Sequence, residues 1–435
     1  MKFVTLHDDE YDKFVSSHKL GGFLHSSTLA THRQVAGWRV HLVGVQNDEG
    51  LIVAAAKMTS RTAFHRMTLF ECTHGPVLDY ENSELVTFFF SKLQLYLRHH
   101  NAIRLRISPP LALSRGNNVA KYNNLLQQNG LVHISNDMVD ADPQMHRWYA
   151  SKDLSRYHTV KQLVNSIDGW AQRYTRHALK SGVTIESVSI DAIDEFYEVL
   201  SHEGSHGGAV KYDKHYYREL ARRYGKDVQF CVARLNLDVY EAAVMKQFGE
   251  ATTALALISP KNKNKKKIAK RLAAKNSVKI SQARLRTIQR LRTESGDSVA
   301  IAAAVFVRYG DELVNVASRS YEQFASFNAP YALQWYGQLY GIKHSVKRFN
   351  FGEVKNVTNG RPEMKGANLF QKQLGAVVEE STGYFEMYPY TNYSNLVVLR
   401  HDDRKADLFR TRSNVGLSID RTPVLFTERS IDRFQ

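Results

Sequence analysis

The chain has 435 residues, which predicts two or three domains, and its 43% hydrophobic and 11% aromatic content excludes an intrinsically disordered protein. No stretch approaches the roughly 18 consecutive apolar residues of a membrane-spanning helix, and the acidic N-terminal sequence does not resemble a signal peptide, so we expect a cytoplasmic protein. The net charge of +16 indicates an anionic partner. The two cysteines, Cys72 and Cys231, lie in apolar sequence and are predicted to be buried thiols rather than a disulfide.

The first part of the chain alternates between helix-like and strand-like patterns. Helical patterns cover 11–18, 23–33 and 84–101. Apolar runs typical of strands cover 38–45, 51–58, 67–72 and 102–108. This alternation indicates an α/β domain, which we place at residues 1–150.

The plan repeats in the second part, at residues 151–375. Helical patterns cover 160–180, 190–200, 212–223 and 329–340. Strand patterns cover 183–188, 228–235, 298–307, 313–317 and 346–351. The sequence therefore predicts two similar α/β halves.

A helical insertion at residues 238–297 separates two strands of the second half. We expect Asp238 to cap its first helix, and the second helix to run from about Asn264 to Ser295, where Gly296 ends it. At 1.5 Å per residue the second helix is about 45–50 Å long. The pattern predicts an antiparallel helical hairpin that projects as an arm.

The second helix of this hairpin is basic and contains no acid over most of its length. Thirteen Lys or Arg residues and no Asp or Glu lie between Lys261 and Arg292. A solvated helix face normally carries opposite charges at i,i+4, and here they are missing. The run therefore favours binding of a polyanion, and both RNA and an anionic membrane surface fit it.

One motif resembles a zinc-binding signature, but we interpret it as a loop. His202-Glu-Gly-Ser-His206 fits the H-E-x-x-H zinc signature, which requires a helix so that both histidines share a face. Gly204 lies inside the motif and Gly207 and Gly208 follow it, so we expect a glycine-rich loop and no metal. No phosphate-binding glycine motif is present either, and Arg33-Gln-Val-Ala-Gly37 is only a poor imitation, so no cofactor is expected.

Several ordered stretches resemble the Fem peptidyltransferases (the FemABX family), which transfer amino acids from aminoacyl-tRNA to peptidoglycan precursors. The matching stretches are Gly75-Pro-Val-Leu-Asp-Tyr80, Ile103-Arg-Leu-Arg-Ile-Ser-Pro109, Arg173-Tyr-Thr-Arg-His-Ala-Leu-Lys-Ser-Gly-Val183, Ser320-Tyr-Glu-Gln-Phe324, Ala329-Pro-Tyr331, Phe349-Asn-Phe-Gly352 and Gly366-Ala-Asn-Leu-Phe-Gln-Lys-Gln-Leu-Gly375. The resemblance implies an α/β fold with two acetyltransferase-like (GNAT-like) domains and an inserted antiparallel coiled-coil arm. It also implies that residues 376–400 complete the first domain and that 401–435 form a variable tail.

The resemblance implies a reaction in which an amine of the stem peptide attacks the ester carbonyl of aminoacyl-tRNA. Because the ester is already activated, positioning and electrostatics supply the catalysis. The implied partners are aminoacyl-tRNA and a UDP- or lipid-linked muropeptide, with peripheral contact to an anionic membrane as an open alternative. The residues expected to bind tRNA are Lys265, Lys266, Lys267, Lys270, Arg271, Arg284, Arg286 and Arg290.

Five residues are implied to bind the precursor. Arg33 stands where the family has a basic residue for the pyrophosphate, and Tyr216 matches an aromatic residue beside the substrate cleft. Lys211 or Tyr212 lies near a family arginine for the precursor. Ser108 replaces the usual Asp before proline.

The implied catalytic pair departs from the family pattern. Gln371 replaces the lysine of the family's Phe-Lys pair, and Lys372 follows it. We expect Lys372 to supply the charge and Gln371 a supporting hydrogen-bond donor. Asn315 and Ala317 also replace two family tyrosines, which leaves open a second reading, a relative that binds tRNA or precursor without transfer.

Overall fold

A computed structural model of the protein describes residues 1–30, 37–64, 67–111, 119–142, 145–202, 212–260, 264–354, 357–358 and 361–390. The chain divides into two units. The first holds the described residues of 1–149 and 353–363 and those from 378 onward. The second holds the described residues of 150–352 and 364–377.

Two large sheets contain most of the strands. The described strands are β1 (Lys2–Thr5), β2 (Arg39–Gln46), β3 (Ile52–Phe64), β4 (Met67–Cys72), β5 (Val77–Leu78), β6 (Ala102–Ile107), β7 (Leu131–His133), β8 (Trp148–Asp153), β9 (Val183–Val188), β10 (Val228–Asn236), β11 (Ser298–Tyr309), β12 (Glu312–Ser320), β13 (Arg348–Glu353), β14 (Val357–Thr358), β15 (Arg361–Pro362), β16 (Val377–Glu380) and β17 (Phe385–Met387). One sheet has the order β1-β2-β3-β4-β6-β17-β7, with β5 paired to β3, and the other has the order β16-β8-β13-β12-β11-β10-β9. Strands β4 and β6 pair in parallel, as do β12 and β13, whereas β2–β3 and β10–β11 are antiparallel.

Helices alternate with these strands along the chain. The described α-helices are α1 (Asp8–Ser17), α2 (Ser83–His99), α3 (Val119–Gln128), α4 (Asn136–Ala141), α5 (Val160–Asn165), α6 (Gly169–Lys180), α7 (Ile193–Ser201), α8 (Lys214–Tyr224), α9 (Leu237–Ala256), α10 (Lys265–Ser295), α11 (Ala329–Lys343) and α12 (Gly366–Gln373). Short 3₁₀ helices cover Phe23–His25, Ile190–Ala192, Gly225–Asp227 and Glu322–Phe327.

The core of the first unit lies between its sheet and α2. The side chain of Asn82 caps α2 by accepting a hydrogen bond from the Leu85 amide at 3.0 Å. Leu85, Phe89 and Leu93 then recur every four residues and are all buried, because this spacing places them on one helix face.

In the second unit, α11 packs closely on the sheet at Gly337. A Cβ atom at this position would lie 2.8 Å from the Phe306 ring and 3.0 Å from the Phe349 ring. The two rings lie on neighbouring parts of the buried sheet face, with centroids 5.9 Å apart. Glycine therefore allows α11 to approach the sheet at a distance that any larger residue obstructs.

Helices α9 and α10 form the arm, here defined as residues 237–295. The first helix begins two residues earlier than predicted, because the Asn236 side chain caps it by accepting from the Val239 amide at 3.0 Å. The prediction that Asp238 is the cap is therefore wrong, and its carboxylate instead pairs with Arg292 at 2.9 Å. With 31 residues, α10 is about 46 Å long, and Gly296, with φ of +74°, follows its last turn.

Two further helix predictions need correction. The pattern at 160–180 is not one helix, because Asp168 ends the connection after α5 and caps α6 by accepting from the Trp170 amide at 2.7 Å. In the pattern at 23–33, the structure shows the 3₁₀ turn Phe23–His25, a break at 26–27 and helical residues at 28–30, and residues 31–36 lie outside the described part.

The predicted state of the cysteines is confirmed, since Cys72 and Cys231 are both free and buried. Burial raises the pKa of each thiol to about 12, so neither is a ready nucleophile. Among the described helices, none combines the length and apolar character that a membrane crossing needs.

Candidate functional site

Most of the basic residues expected to bind tRNA lie exposed on α10. Within the described residues, the side chains of five of the eight have neither an ion-pair nor a hydrogen-bond partner, and these are Lys265, Lys266, Lys267, Lys270 and Arg286. Arg290 lies 3.8 Å from Glu294, one turn further along, and both side chains are mostly exposed. Exposed pairs of this kind are weak, so the face remains available to an anion.

The other two predicted tRNA-binding residues hold the arm together. The Nε atom of Arg271 donates to the Ile258 carbonyl at 2.9 Å, which ties α10 to the end of α9. The Nη1 atom of Arg284 donates to Gln247 Oε1 at 3.2 Å across the hairpin. These two side chains therefore contribute to the geometry of the arm as well as to its charge.

Of the predicted precursor-binding residues, Arg33 and Lys211 lie outside the described part of the chain. Ser108 follows β6 and is buried. Its Oγ accepts a hydrogen bond from the His74 amide at 2.7 Å, and its own amide donates to the Cys72 carbonyl at 3.2 Å. The hydroxyl thus fixes the turn that precedes β5, and it keeps one donor proton and one acceptor lone pair.

Tyr212 and Tyr216 are stacked on each other at the start of α8. Their ring centroids are 3.9 Å apart with an angle of 16° between the planes. Tyr216 is buried, and this burial raises the pKa of its phenol well above 10. Tyr212 is only half-buried and covers it, so Tyr212 is the more exposed ring of this pair.

Gln371 and Lys372 lie on different faces of α12. The Gln371 side chain is buried, and its Oε1 has no hydrogen-bond partner among the described residues. Lys372 is exposed. Adjacent helix positions point about 100° apart, and the structure places one of these side chains in the interior and the other in solvent.

Sequence reasoning missed a buried lysine beside α12. Lys152 is 2% exposed, and its Nζ donates to Gln338 Oε1 at 2.8 Å and to the Leu374 carbonyl at 3.1 Å. Burial lowers the pKa of Lys152 from 10.5 to about 7. The signal was present in the sequence, because Lys152 shares the inward face of β8 with Ala150 at a spacing of two.

An aromatic contact also holds α12. The rings of Phe370 and Tyr331 are 4.7 Å apart, and the Tyr331 hydroxyl donates to Gln373 Oε1 at 2.6 Å. Both contacts join α12 to α11. The helix with the expected catalytic pair is therefore held by one aromatic contact and one hydrogen bond.

The zinc-like motif begins where a helix stops. His202 is the C-cap residue of α7 with extended backbone angles, and His206 lies outside the described residues. The His202 ring packs against Tyr321, with centroids 4.5 Å apart, and its carbonyl accepts from Arg319 at 3.0 Å. In the described ranges no three potential metal ligands cluster together.

Comparisons with known proteins agree with this architecture. Aminoacyltransferase FemA from Staphylococcus aureus strain bovine RF122 is 27% identical over 401 residues, which cover 88% of this chain and 94% of the relative. Aminoacyltransferase FemA from strain MRSA252 is 26% identical over 400 residues, with the same coverage. The crystal structure of FemX aligns with a TM-score of 0.69 at 20% identity, covering 89% of this chain and 97% of FemX.

The similarity to FemX confirms the predicted α/β fold with two acetyltransferase-like domains. A sequence model of the FemAB family matches residues 6–399, which is nearly the whole chain. The chain therefore belongs to the FemAB family.

Proposed function

We propose that this protein is an aminoacyltransferase that moves an amino acid from aminoacyl-tRNA to the stem peptide of a peptidoglycan precursor, building the interpeptide bridge. The observation that carries the proposal is the family match over residues 6–399, with relatives named aminoacyltransferase FemA along most of the chain. The exposed basic face of α10 supports the tRNA part of it.

In the proposed reaction, the stem-peptide amine attacks the ester carbonyl of aminoacyl-tRNA. A C–N bond forms, the ester C–O bond breaks, and the tRNA ribose hydroxyl leaves with the proton that the amine gives up. No covalent enzyme intermediate is required, so the protein contributes positioning and stabilisation of the developing oxyanion.

The two candidate catalytic residues take separate roles in this proposal. Gln371 is buried, and its amide can hydrogen-bond the reacting groups only from inside the second unit. Lys372 is exposed on α12 and supplies positive charge from the solvent side, where the tRNA terminus arrives. Lys372 thus keeps its expected role as the charge and Gln371 its expected role as a donor, but the two side chains act from different faces of α12.

The arm is proposed to bind tRNA phosphates through its exposed cations. Asn236 and Ser298 are paired on adjacent strands, so an Asn-Gly turn can replace residues 238–296 while the sheet stays continuous. The armless variant should fold and lose most of its tRNA affinity. Equal tRNA affinity with and without the arm contradicts this assignment.

The transfer itself is tested with radiolabelled aminoacyl-tRNA, purified protein and precursor, with UDP-linked and lipid-linked precursors in parallel. Label should move to the precursor in at least one case. The competing reading is a family member that binds without transfer, which the neutral Gln371 at the family's lysine position favours. Tight binding of tRNA and precursor without any movement of label supports that reading.

A membrane contact by the arm is a second proposal with its own observation. Near the end of the hairpin, Leu257, Ile268 and Leu272 are 80%, 48% and 59% exposed and lie among lysines. Apolar side chains framed by cations suit the interface of an anionic membrane, where a lipid-linked precursor resides. Co-sedimentation with anionic but not neutral vesicles, lost on changing Leu257 and Leu272 to Ser, tests it. With this contact, we propose a location in the cytoplasm at the inner membrane face.

A further inference from the structure

An exposed tryptophan lies in the first turn of α6, in the second unit. Trp170 is 51% exposed and is the most exposed of the chain's four tryptophans. The Arg173 guanidinium lies 4.4 Å from the centre of its ring, and the Tyr174 ring stacks beside it at 5.9 Å and 29°. We call Trp170, Arg173 and Tyr174 the α6 platform. An aromatic ring that remains half in solvent indicates a binding function more than a packing function.

The platform continues as a row of positive charge. Arg173, Arg176 and Lys180 are exposed at spacings of three and four, which places them along one side of α6. The helix contains no acidic residue, and the carboxylate that precedes it, Asp168, is used to cap the Trp170 amide. Within the described residues these three cations have no ion-pair partner.

The two ends of α6 contact the two elements assigned to tRNA. At the C-terminal end, the Asn236 amide donates to the Gly182 carbonyl at 2.9 Å, and Asn236 is the residue that caps the arm. At the N-terminal end, the Asp168 amide donates to the Gln373 carbonyl at 2.8 Å, in the helix that carries Lys372. With 12 residues, α6 spans about 18 Å between these points.

The platform also joins an aromatic row that reaches α12. Tyr174 lies 5.0 Å from Tyr331, and Tyr331 lies 4.7 Å from Phe370, which precedes Gln371. A ligand on Trp170 therefore sits beside a continuous set of rings that ends next to the candidate catalytic pair.

We propose that the α6 platform binds the unpaired 3′ end of tRNA. From the base of the arm, phosphates follow Lys180, Arg176 and Arg173 in that order, and a nucleotide base stacks on the exposed part of Trp170. Aromatic stacking combined with a basic track is how proteins hold single-stranded nucleic acid, whereas a duplex has no free base faces to stack. The inference rests on the proposed tRNA substrate and adds where its single-stranded terminus lies.

The test compares two RNA minihelices, one with and one without the unpaired 3′ extension that ends in CCA. Wild-type protein should bind the extended form roughly ten- to a hundred-fold more tightly, the difference expected for one stacked base. Trp170→Ala should abolish that difference, and Trp170→Phe should restore part of it. The matched control is Leu179→Ala, which removes another apolar side chain, 49% exposed, from the same helix.

Intrinsic fluorescence provides a second readout, because Trp170 is the most exposed tryptophan. The extended minihelix should quench it, and the blunt one should not. The proposal is overturned if Trp170→Ala keeps the wild-type preference for the extension, or if anionic vesicles and not RNA depend on Trp170. If wild-type protein transfers no amino acid yet needs Trp170 to prefer the extension, the proposed function fails and this inference stands.

Discussion

Lys152 gives a quantitative test of how α12 is held. Its Nζ makes two hydrogen bonds, to Gln338 Oε1 and to the Leu374 carbonyl, and burial lowers its pKa from 10.5 to about 7. In the unfolded chain the amine keeps its ordinary pKa. Between about pH 7 and 10 the unfolded state therefore binds one more proton than the folded state, so stability rises with pH. The contribution is fully present above the unfolded pKa and is lost as the pH falls through about 7.

The perturbation is Lys152→Met, which keeps the volume and removes the titrating group. The free energy of unfolding of wild type minus that of the variant should grow by about 1.4 kcal/mol for each pH unit. Between about pH 7.5 and 9 this amounts to about 2 kcal/mol. Because the buried tyrosines and cysteines titrate in both proteins, their contributions to the free energy of unfolding cancel in this difference.

Urea unfolding followed by circular dichroism at several pH values measures this difference. Lys343→Met, at an exposed lysine of α11, is the matched control and should follow the wild-type profile. If the stability profile of Lys152→Met also runs parallel to that of the wild type across this range, the pKa of the Lys152 amine is not lowered. The burial of this amine against α12 is then wrong.

Three further predictions concern the arm, the core of the second unit and α12. Changing Lys266 and Lys267 to Glu should weaken tRNA binding and reduce the slope of log affinity against log salt by about 1.4–1.8, since each lost phosphate contact removes about 0.7–0.9 from it. Filter binding at several salt concentrations detects this change, and an unchanged slope contradicts the assignment. Gly337→Ala should cost about 1–3 kcal/mol in urea unfolding, because the new Cβ meets the Phe306 ring at 2.8 Å; a neutral result shows that the helix shifts freely. Lys372→Ala should slow transfer by about 10²–10³-fold with little change in tRNA affinity, and transfer at the wild-type rate makes Lys372 an ordinary surface residue.

The sequence predicted the elements whose patterns are long and regular. The alternation of strands and helices indicates both sheets, and α10 ends before Gly296 as its pattern requires. The capping residue of the arm was less predictable. Asn236 and Asp238 are both good caps, and the choice follows from the length of β10, which continues to Asn236.

The candidate site was less predictable than the fold. A sequence places Gln371 and Lys372 side by side, but only the packing of α12 decides that the first is buried and the second exposed. The burial of Ser108 and its hydrogen bond from the His74 amide likewise depend on a turn distant in sequence. Lys152 could have been found, because a lysine on the inward face of a strand is rare unless it is paired or hydrogen-bonded.

As an aminoacyltransferase, this protein should form an amide bond between an amino acid and a peptidoglycan precursor. The most direct measurement is the mass of the precursor after incubation with purified protein and a mixture of aminoacyl-tRNAs. We expect the precursor to gain the mass of one or more amino-acid residues, and this gain should depend on charged tRNA and be lost in the armless variant. An unchanged mass for UDP-linked and lipid-linked precursors alike, under conditions where the protein binds tRNA, contradicts it.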